Sequence, residues 1–392
     1  MFWMYSLACL REEFPILNEC IYLDSASTSP TPRRAVEAMC DYFYHYSANH
    51  GRGAHRLARK TTEEFEKTRD DLGSFLGVPR DHLVFTKNTT DSINHVAHGL
   101  KWKRGDEVIV TSIDHHSNFL PWMALKERGV RIKILPHRNS IIDPEELNPL
   151  LSKKTKIVAV THMPNITGTL QPVHEITKIA HDAGAAVVVD GAQSVGHVPF
   201  ETGDIDYLAI PGHKGLLGPQ GTGALYVADY KDLSISNHGG GIVRNVYLDS
   251  YELLPPPAQF EPGTPNIPGV IGLGKAIGLV RELGVKNIHR HETDLGKKLR
   301  AGIIDIPGVS VYSPDNTPVI SFNIDGLTPT ECATRLDDME RICVRSGMHC
   351  AQPLASSFHP EGTVRASIGC YTTEEEIRIF CDTVNSLVSR ST

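Results

Sequence analysis

The stretch KIVAVTHMPNITGTLQPVHEITKIAHDAGAAVVVD, residues 156–190, holds the pattern that decides the fold. KIVAVTH at 156–162 and AAVVVD at 185–190 are continuous apolar runs rather than strict alternations, as in strands covered on both faces. Between them HEITKIAHDAG at 174–184 reads as a helix closed by Gly184. Strand, helix and strand in that order make a βαβ unit. Working outward, LVFT at 83–86, EVIVTS at 107–112, DYLAI at 206–210 and GALYVA at 223–228 read as further buried strands. The fold class is therefore α/β with a mainly parallel sheet, and ligands should gather where strands end and loops begin.

Past this region the pattern breaks. Residues 238–270, with GGG at 239–241, PPP at 255–257 and EPGTPNIPG at 261–269, read as loop. Two helical stretches follow, then the strand-like VSVY and VISFNI and a helix near 329–340. We expect a large domain over 15–281 and a smaller α+β domain over 282–392, with residues 1–14 packing against the latter. A length of 392 residues suits two domains.

Composition narrows the function classes. The chain is 40% hydrophobic and 22% charged, ordinary for a soluble enzyme, and its formal net charge of -7 argues against nucleic acid or anionic membrane as main partner. No apolar run reaches the roughly 18–20 residues that span a bilayer. MFWMYSLACL at the N-terminus lacks a basic n-region and a small-residue cleavage site, so it reads as a packed start rather than a signal peptide. The eight cysteines, at 9, 20, 40, 332, 343, 350, 370 and 381, are dispersed without a CxxC. That spacing favours a reducing cytoplasm over a secreted disulfide scaffold. Cys381 falls on the apolar face of a C-terminal helix opened by Thr372 or Thr373, and reads as core.

Several residues carry chemistry. VVVDGAQ at 187–193 puts Asp190 at the end of a buried strand, where a carboxylate is costly unless a cation faces it; a helix cap or structural pair would also explain it. GHK at 212–214 follows DYLAI, so Lys214 sits just past a buried strand among glycines. Desolvation there would lower its pKa and free the amine as a nucleophile, although a loop lysine over a glycine-rich turn fits the same letters. NTTDSIN at 88–94 offers Thr89 and Thr90 at a helix start, suited to phosphate or to a simple N-cap. SIDHHSN at 112–118 places His115 and His116 at another strand end, where an imidazole could stack on a ring and move protons.

Taken in order, NTT, DHH, N-x-x-G-T, VDGAQ, GHK, EPGTPN, RSGMHCAQPL and VRASIG resemble the class V aminotransferases. The likeness is closer to the Suf-type (group II) cysteine desulfurases, and it runs from REEFPIL at 11–17 to the final helix. The resemblance implies a pyridoxal 5'-phosphate enzyme of fold type I and a homodimer. It implies that Lys214 carries the cofactor, Asp190 meets its ring nitrogen, Gln193 its ring hydroxyl, and His115 its ring face. Thr89, Thr90 and His213 would hold the phosphate, with Thr264 reaching in from a second subunit. Asn165 and Arg365 would grip the carboxylate of L-cysteine, and a loop beginning near Arg345 would carry Cys350, the sulfur acceptor. A persulfide on Cys350 would pass to an acceptor protein, for iron–sulfur cluster assembly or another use; no metal is implied.

Two departures stand out: Pro211 replaces the serine the family usually has two residues before the GHK histidine, and LDSAS at 23–27 replaces LDNAA. The alternatives are a selenocysteine lyase or an aminotransferase or epimerase that does not use Cys350. A metal hydrolase built from His115, His116, His349 and Cys350 is disfavoured by the absence of a helical H-x-x-x-H pair.

Overall fold

The structure is a computed structural model describing residues 7–391. It opens with α1 (Leu7–Arg11), the short strand β1 (Ile21–Tyr22), α2 (Arg33–Asp41) and α3 (Arg56–Leu76). The alternating region follows: β2 (Leu83–Thr86), α4 (Thr89–Gly99), β3 (Glu107–Thr111), α5 (Leu120–Ala124) and β4 (Arg131–Leu135). It continues through β5 (Thr155–Thr161), α6 (Val173–Asp182), β6 (Ala186–Asp190), β7 (Tyr207–Pro211) and β8 (Gly223–Val227). These strands form one sheet in the order β2-β8-β7-β6-β5-β3-β4. All run the same way except β8, which is antiparallel to both neighbours.

Helices cover both faces, and the alternation of β5 shows how. Val158 and Val160 join one core with Leu72, Ile176 and Ile271, while Ile157 and Ala159 join another with Ile93, Val96 and Trp122. Two faces buried at once leave no polar position in the strand, which is why its sequence does not alternate.

Next come the hairpin β9 (Val243–Val246) and β10 (Tyr251–Leu253), then α7 (Ile267–Leu283) and α8 (Val285–Ile303). The hairpin corrects the expectation of loop over 238–270. Its strands are exposed and short, so no buried apolar run marked them. β4 was not anticipated either: as an edge strand it carries Arg131 and Lys133, charges that blunt a free edge.

The C-terminal part contains β11 (Val309–Val311), β12 (Val319–Ile324), α9 (Pro329–Glu340), β13 (Ile342–Cys343) and β14 (Arg345–Gly347). It ends with α10 (Gln352–Phe358), β15 (Thr363–Ser367) and α11 (Glu374–Ser391). Thr373 and Glu376 close a reciprocal cap at the start of α11. A four-stranded sheet, β11-β12-β15-β14, packs with α8, α9 and α11 around Phe322, Leu336 and Phe380. Leu10 and Phe14 pack with Leu279, Ile288 and Tyr371, and Arg11 donates to the Tyr371 carbonyl at 2.9 Å. Residues 1–6, part of the expected N-terminal packing segment, lie outside the described residues. Among the described residues no helix is long and apolar enough to cross a membrane.

Candidate active site

The parallel strands finish along one edge of the large sheet, and the loops leaving them enclose a cavity of about 270 Å³. Thr89, Thr90, His115, Asn165, Asp190, Gln193, His213 and Lys214 all line it. So do Ser27, Asn88, Ser117 and Pro211. Eight residues singled out in the sequence, scattered over 126 positions from 89 to 214, thus meet in one place.

Asp190 closes β6, is 2% exposed, and accepts from the Ala192 N–H at 2.9 Å. Burial pushes its carboxyl up, and the nearby Lys214 charge pulls it back. Burial likewise drives the Lys214 ammonium down to about 8, opposed by Asp190 and assisted by Arg365. The backbone around Lys214 is held by glycine contact: a Cβ on Gly215 would fall 2.3 Å from the Val195 carbonyl oxygen. Only glycine lets the two loops meet there.

His115 is neutral, because burial, then Lys214 and His116, push its pKa to about 3. Its Nδ1 accepts the Ser117 N–H at 3.1 Å, so the ring proton belongs on Nε2. The loop is shaped from beneath by Asp114, whose carboxylate takes the N–H of Thr111 and Thr161 and the Asn118 amide. Burial nevertheless lifts Asp114 to about 7.

The cavity has open valences where α4 starts. Thr89 Oγ1 and His213 Nδ1 are buried without partners, and α4 begins there with Asn88 as its cap. Buried donors are rarely left unpaired, so unused ones at a helix start suit an anionic ligand. His213 is neutral, pushed to about 4 by burial and by Lys214.

Arg365 of β15 is 2% exposed and does not line the cavity itself, but bonds Asn165 and Ser27, which do. Its Nη1 donates to the Asn165 carbonyl at 3.1 Å, and its Nη2 to Asp24 at 3.1 Å and to Ser27 Oγ at 2.7 Å. Nε is unpartnered, as is Asn165 Oδ1. The LDSAS segment therefore enters the site through Asp24 and Ser27, a role the sequence reading missed. The acid and hydroxyl three residues apart were its only trace.

Cys350 is exposed at the rim, close enough to Lys214 and Arg365 to act on both electrostatically. The loop that carries Cys350 is tied to its neighbours by hydrogen bonds. The Cys350 carbonyl accepts the His116 N–H at 2.7 Å, the His349 carbonyl accepts the Asn165 amide at 2.8 Å, and α10 begins two residues later. His349 and Cys350 take φ of 50° and 53°, a left-handed pair that costs non-glycine residues energy. His349 cannot serve as a cation beside the thiol: burial lowers it to about 3, and its Nε2 bonds Thr363. Arg345 lies on β14 opposite Arg365 in the ladder, exposed and outside the cavity lining. Thr264 is also exposed, in a separate cleft with Glu261 and Asp91. Among the described residues no group of three His, Cys, Asp or Glu could hold a metal ion.

A mainly parallel α/β sheet with a half-buried lysine facing a strand-end carboxylate, beside a helix start with unpartnered donors, defines a class of lysine-bearing cofactor enzymes. The class-V aminotransferase family profile matches residues 21–380, and the chain belongs to that family. A probable cysteine desulfurase of Methanothermobacter thermautotrophicus is 43% identical, covering 96% of this chain and 97% of that protein. One from Pyrococcus abyssi is 38% identical, covering 97% of each. The apo structure of a cysteine desulfurase from Thermococcus onnurineus superposes with a TM-score of 0.95 at 39% identity over all of both chains.

Proposed function

We propose that this chain is a pyridoxal 5'-phosphate-dependent cysteine desulfurase that converts L-cysteine to L-alanine and leaves a persulfide on Cys350. One observation carries the reading: a depressed-pKa lysine faces a buried carboxylate in a cavity with an exposed cysteine at its rim. The donor set fits the cofactor. The unpartnered Thr89 and His213 atoms and the start of α4 would receive its phosphate, with Thr90 beside them. Asp190 would face its ring nitrogen, Gln193 its ring hydroxyl and the neutral His115 its ring face, while Lys214 would hold it covalently.

Bound there, pyridoxal phosphate supplies an electron sink that acidifies the substrate's α-carbon and loosens its carbon–sulfur bond. Arg365 Nε is the open donor for the substrate carboxylate, with Asp24 and Ser27 holding the guanidinium in plane, whereas the Asn165 amide N–H is given to the His349 carbonyl and only its oxygen is open. Lys214 would take the α-proton at its Nζ as a free amine. The Cys350 thiolate would attack the substrate sulfur; the new S–S bond would form as the substrate's Cβ–S bond breaks, the electron pair left at Cβ would take a proton there, and return of the α-proton from Lys214 to Cα would complete alanine.

Exposure of Cys350 lets an outside thiol collect the sulfur, so the partner is a sulfur-acceptor protein, an iron–sulfur scaffold or a sulfur shuttle. The eight free cysteines agree with a cytoplasmic setting. In this reading the cofactor domain spans 15–281 and the small domain 282–392; Phe322, Leu336 and Phe380 centre the core of the latter, while Ala351 and Leu354 of α10 join the core of the former. We further propose a homodimer. Thr264 is exposed outside its own chain's cavity, and the nearby hairpin presents Val246, Tyr247, Leu248 and Tyr251 to solvent.

The test is product analysis. Wild type given L-cysteine should release alanine and gain one sulfur on the peptide containing Cys350. Cys350→Ser should keep the cofactor spectrum and lose the transferable sulfur. Sulfur on Cys370, or undiminished transfer in the variant, would refute the assignment.

A further inference from the structure

Pro211 is the last residue of β7 and lines the cavity, yet it has no hydrogen to donate. Its ladder partner is Gly223, where a Cβ would stand 2.9 Å from the Cα of Asn88. Directly opposite positions in an antiparallel pair share a face, so residue 211 looks toward the start of α4, where the cup for an anion lies. Pro211 therefore offers no donor on that side.

A hydroxyl reaches it from another element. Ser117, on the turn after β3, lines the same cavity, and its Oγ is 2.6 Å from Thr90 Oγ1 and 3.0 Å from His115 Nδ1. That nitrogen already accepts the Ser117 backbone N–H. A neutral imidazole has one acceptor nitrogen, so the Ser117 hydroxyl competes for an engaged lone pair. Its proton, or the Thr90 proton, is free to turn toward an incoming anion. The second observation at this helix start is Thr89 Oγ1, 6% exposed and without a partner.

We propose that Ser117 donates to the cofactor phosphate in the place that Pro211 leaves open. This rests on the cofactor assignment above and deepens it, since it predicts which part of the ligand the serine senses. The experiment titrates cofactor-free protein with pyridoxal phosphate and, separately, with pyridoxal, following the absorbance of the lysine-linked chromophore. Ser117→Ala should raise the Kd for pyridoxal phosphate roughly tenfold, the effect of one hydrogen bond to a charged group, and leave that for pyridoxal unchanged. Ser117→Thr keeps the hydroxyl and should bind as wild type. Adding Pro211→Ser to Ser117→Ala should recover most of the loss. Unchanged affinity in Ser117→Ala, or an equal loss for both ligands, would overturn the proposal, the latter because the serine would then act through His115. A wild type that forms no lysine-linked chromophore would overturn the cofactor assignment itself, and this inference with it.

Discussion

Asp190 was legible because it ends a buried apolar run and Lys214 because it follows one closely, and a charge at such a place demands a reason. Asp24, Ser27 and Ser117 were not, since a short polar side chain in a turn looks the same whether it caps a helix or faces a ligand. Only their partners, Arg365 and Thr90, distinguish the two. The lysine yields a prediction about pH. Its amine titrates near 8 because burial disfavours the charged form, so below that value it is a protonated, unreactive ammonium. The rate at which cofactor-free protein takes up pyridoxal should climb about tenfold per pH unit from pH 6 and level above about 8. A rate still climbing at pH 10 would show an ordinary lysine. Lys214→Ala should give no borohydride-stable adduct.

At the scale of elements, doubly buried strands and capped helices were read nearly to the residue; α9 spans 329–340 as expected, where Thr328 and Glu331 form its capping box. The edge strand β4 and the hairpin of β9 and β10 escaped because exposed strands contribute little apolar patterning. Placement of the EPGTPN turn was also invisible, since it depends on a partner in α3. Glu261 bonds Arg69 at 2.7 and 2.9 Å and accepts the Phe85 N–H, pinning the turn to β2. Arg69, 3% exposed, also bonds Glu66. Removing the guanidinium would strand a mostly buried carboxylate, so Arg69→Leu should cost about 3 kcal/mol in denaturant unfolding. It should also weaken cofactor binding if Thr264 on that turn is used. Glu66 adds a pH signature. Burial would raise it, but bonds from His50 and Arg69 and the Arg80 charge win, and its carboxyl is held near 2 against an ordinary 4.5. The stabilisation is full above about 4.5 and fades as pH falls through about 2, so wild-type stability should drop across that window. The drop should be shallower in Arg69→Leu; equal slopes would remove Arg69 from the cause.

For the whole molecule, the question is whether one chain makes a complete site. Thr264 belongs to a turn fixed by Glu261, yet it opens onto a cleft with Asp91 and Asn266 rather than onto Lys214. No side-chain rotation moves a residue from one cleft to another while its backbone stays pinned. A role at the cofactor therefore requires a second copy, and the solvent-facing Leu248 and its hairpin neighbours offer apolar area for that copy to cover. Leu248→Glu should shift the protein toward monomer in light scattering and loosen its cofactor together with assembly. Subunit mixing separates a trans role from simple dimer support. Lys214→Ala should not hold the cofactor, and Thr264→Ala should hold it weakly in both of its sites. In a mixed dimer, the Thr264→Ala chain keeps its own Lys214 and borrows the intact threonine of the other chain. One site per dimer should regain wild-type affinity, while the second stays empty. If the threonine works within its own chain, mixing restores nothing, and a fully active monomer at assay dilution would remove the dimer from the mechanism altogether.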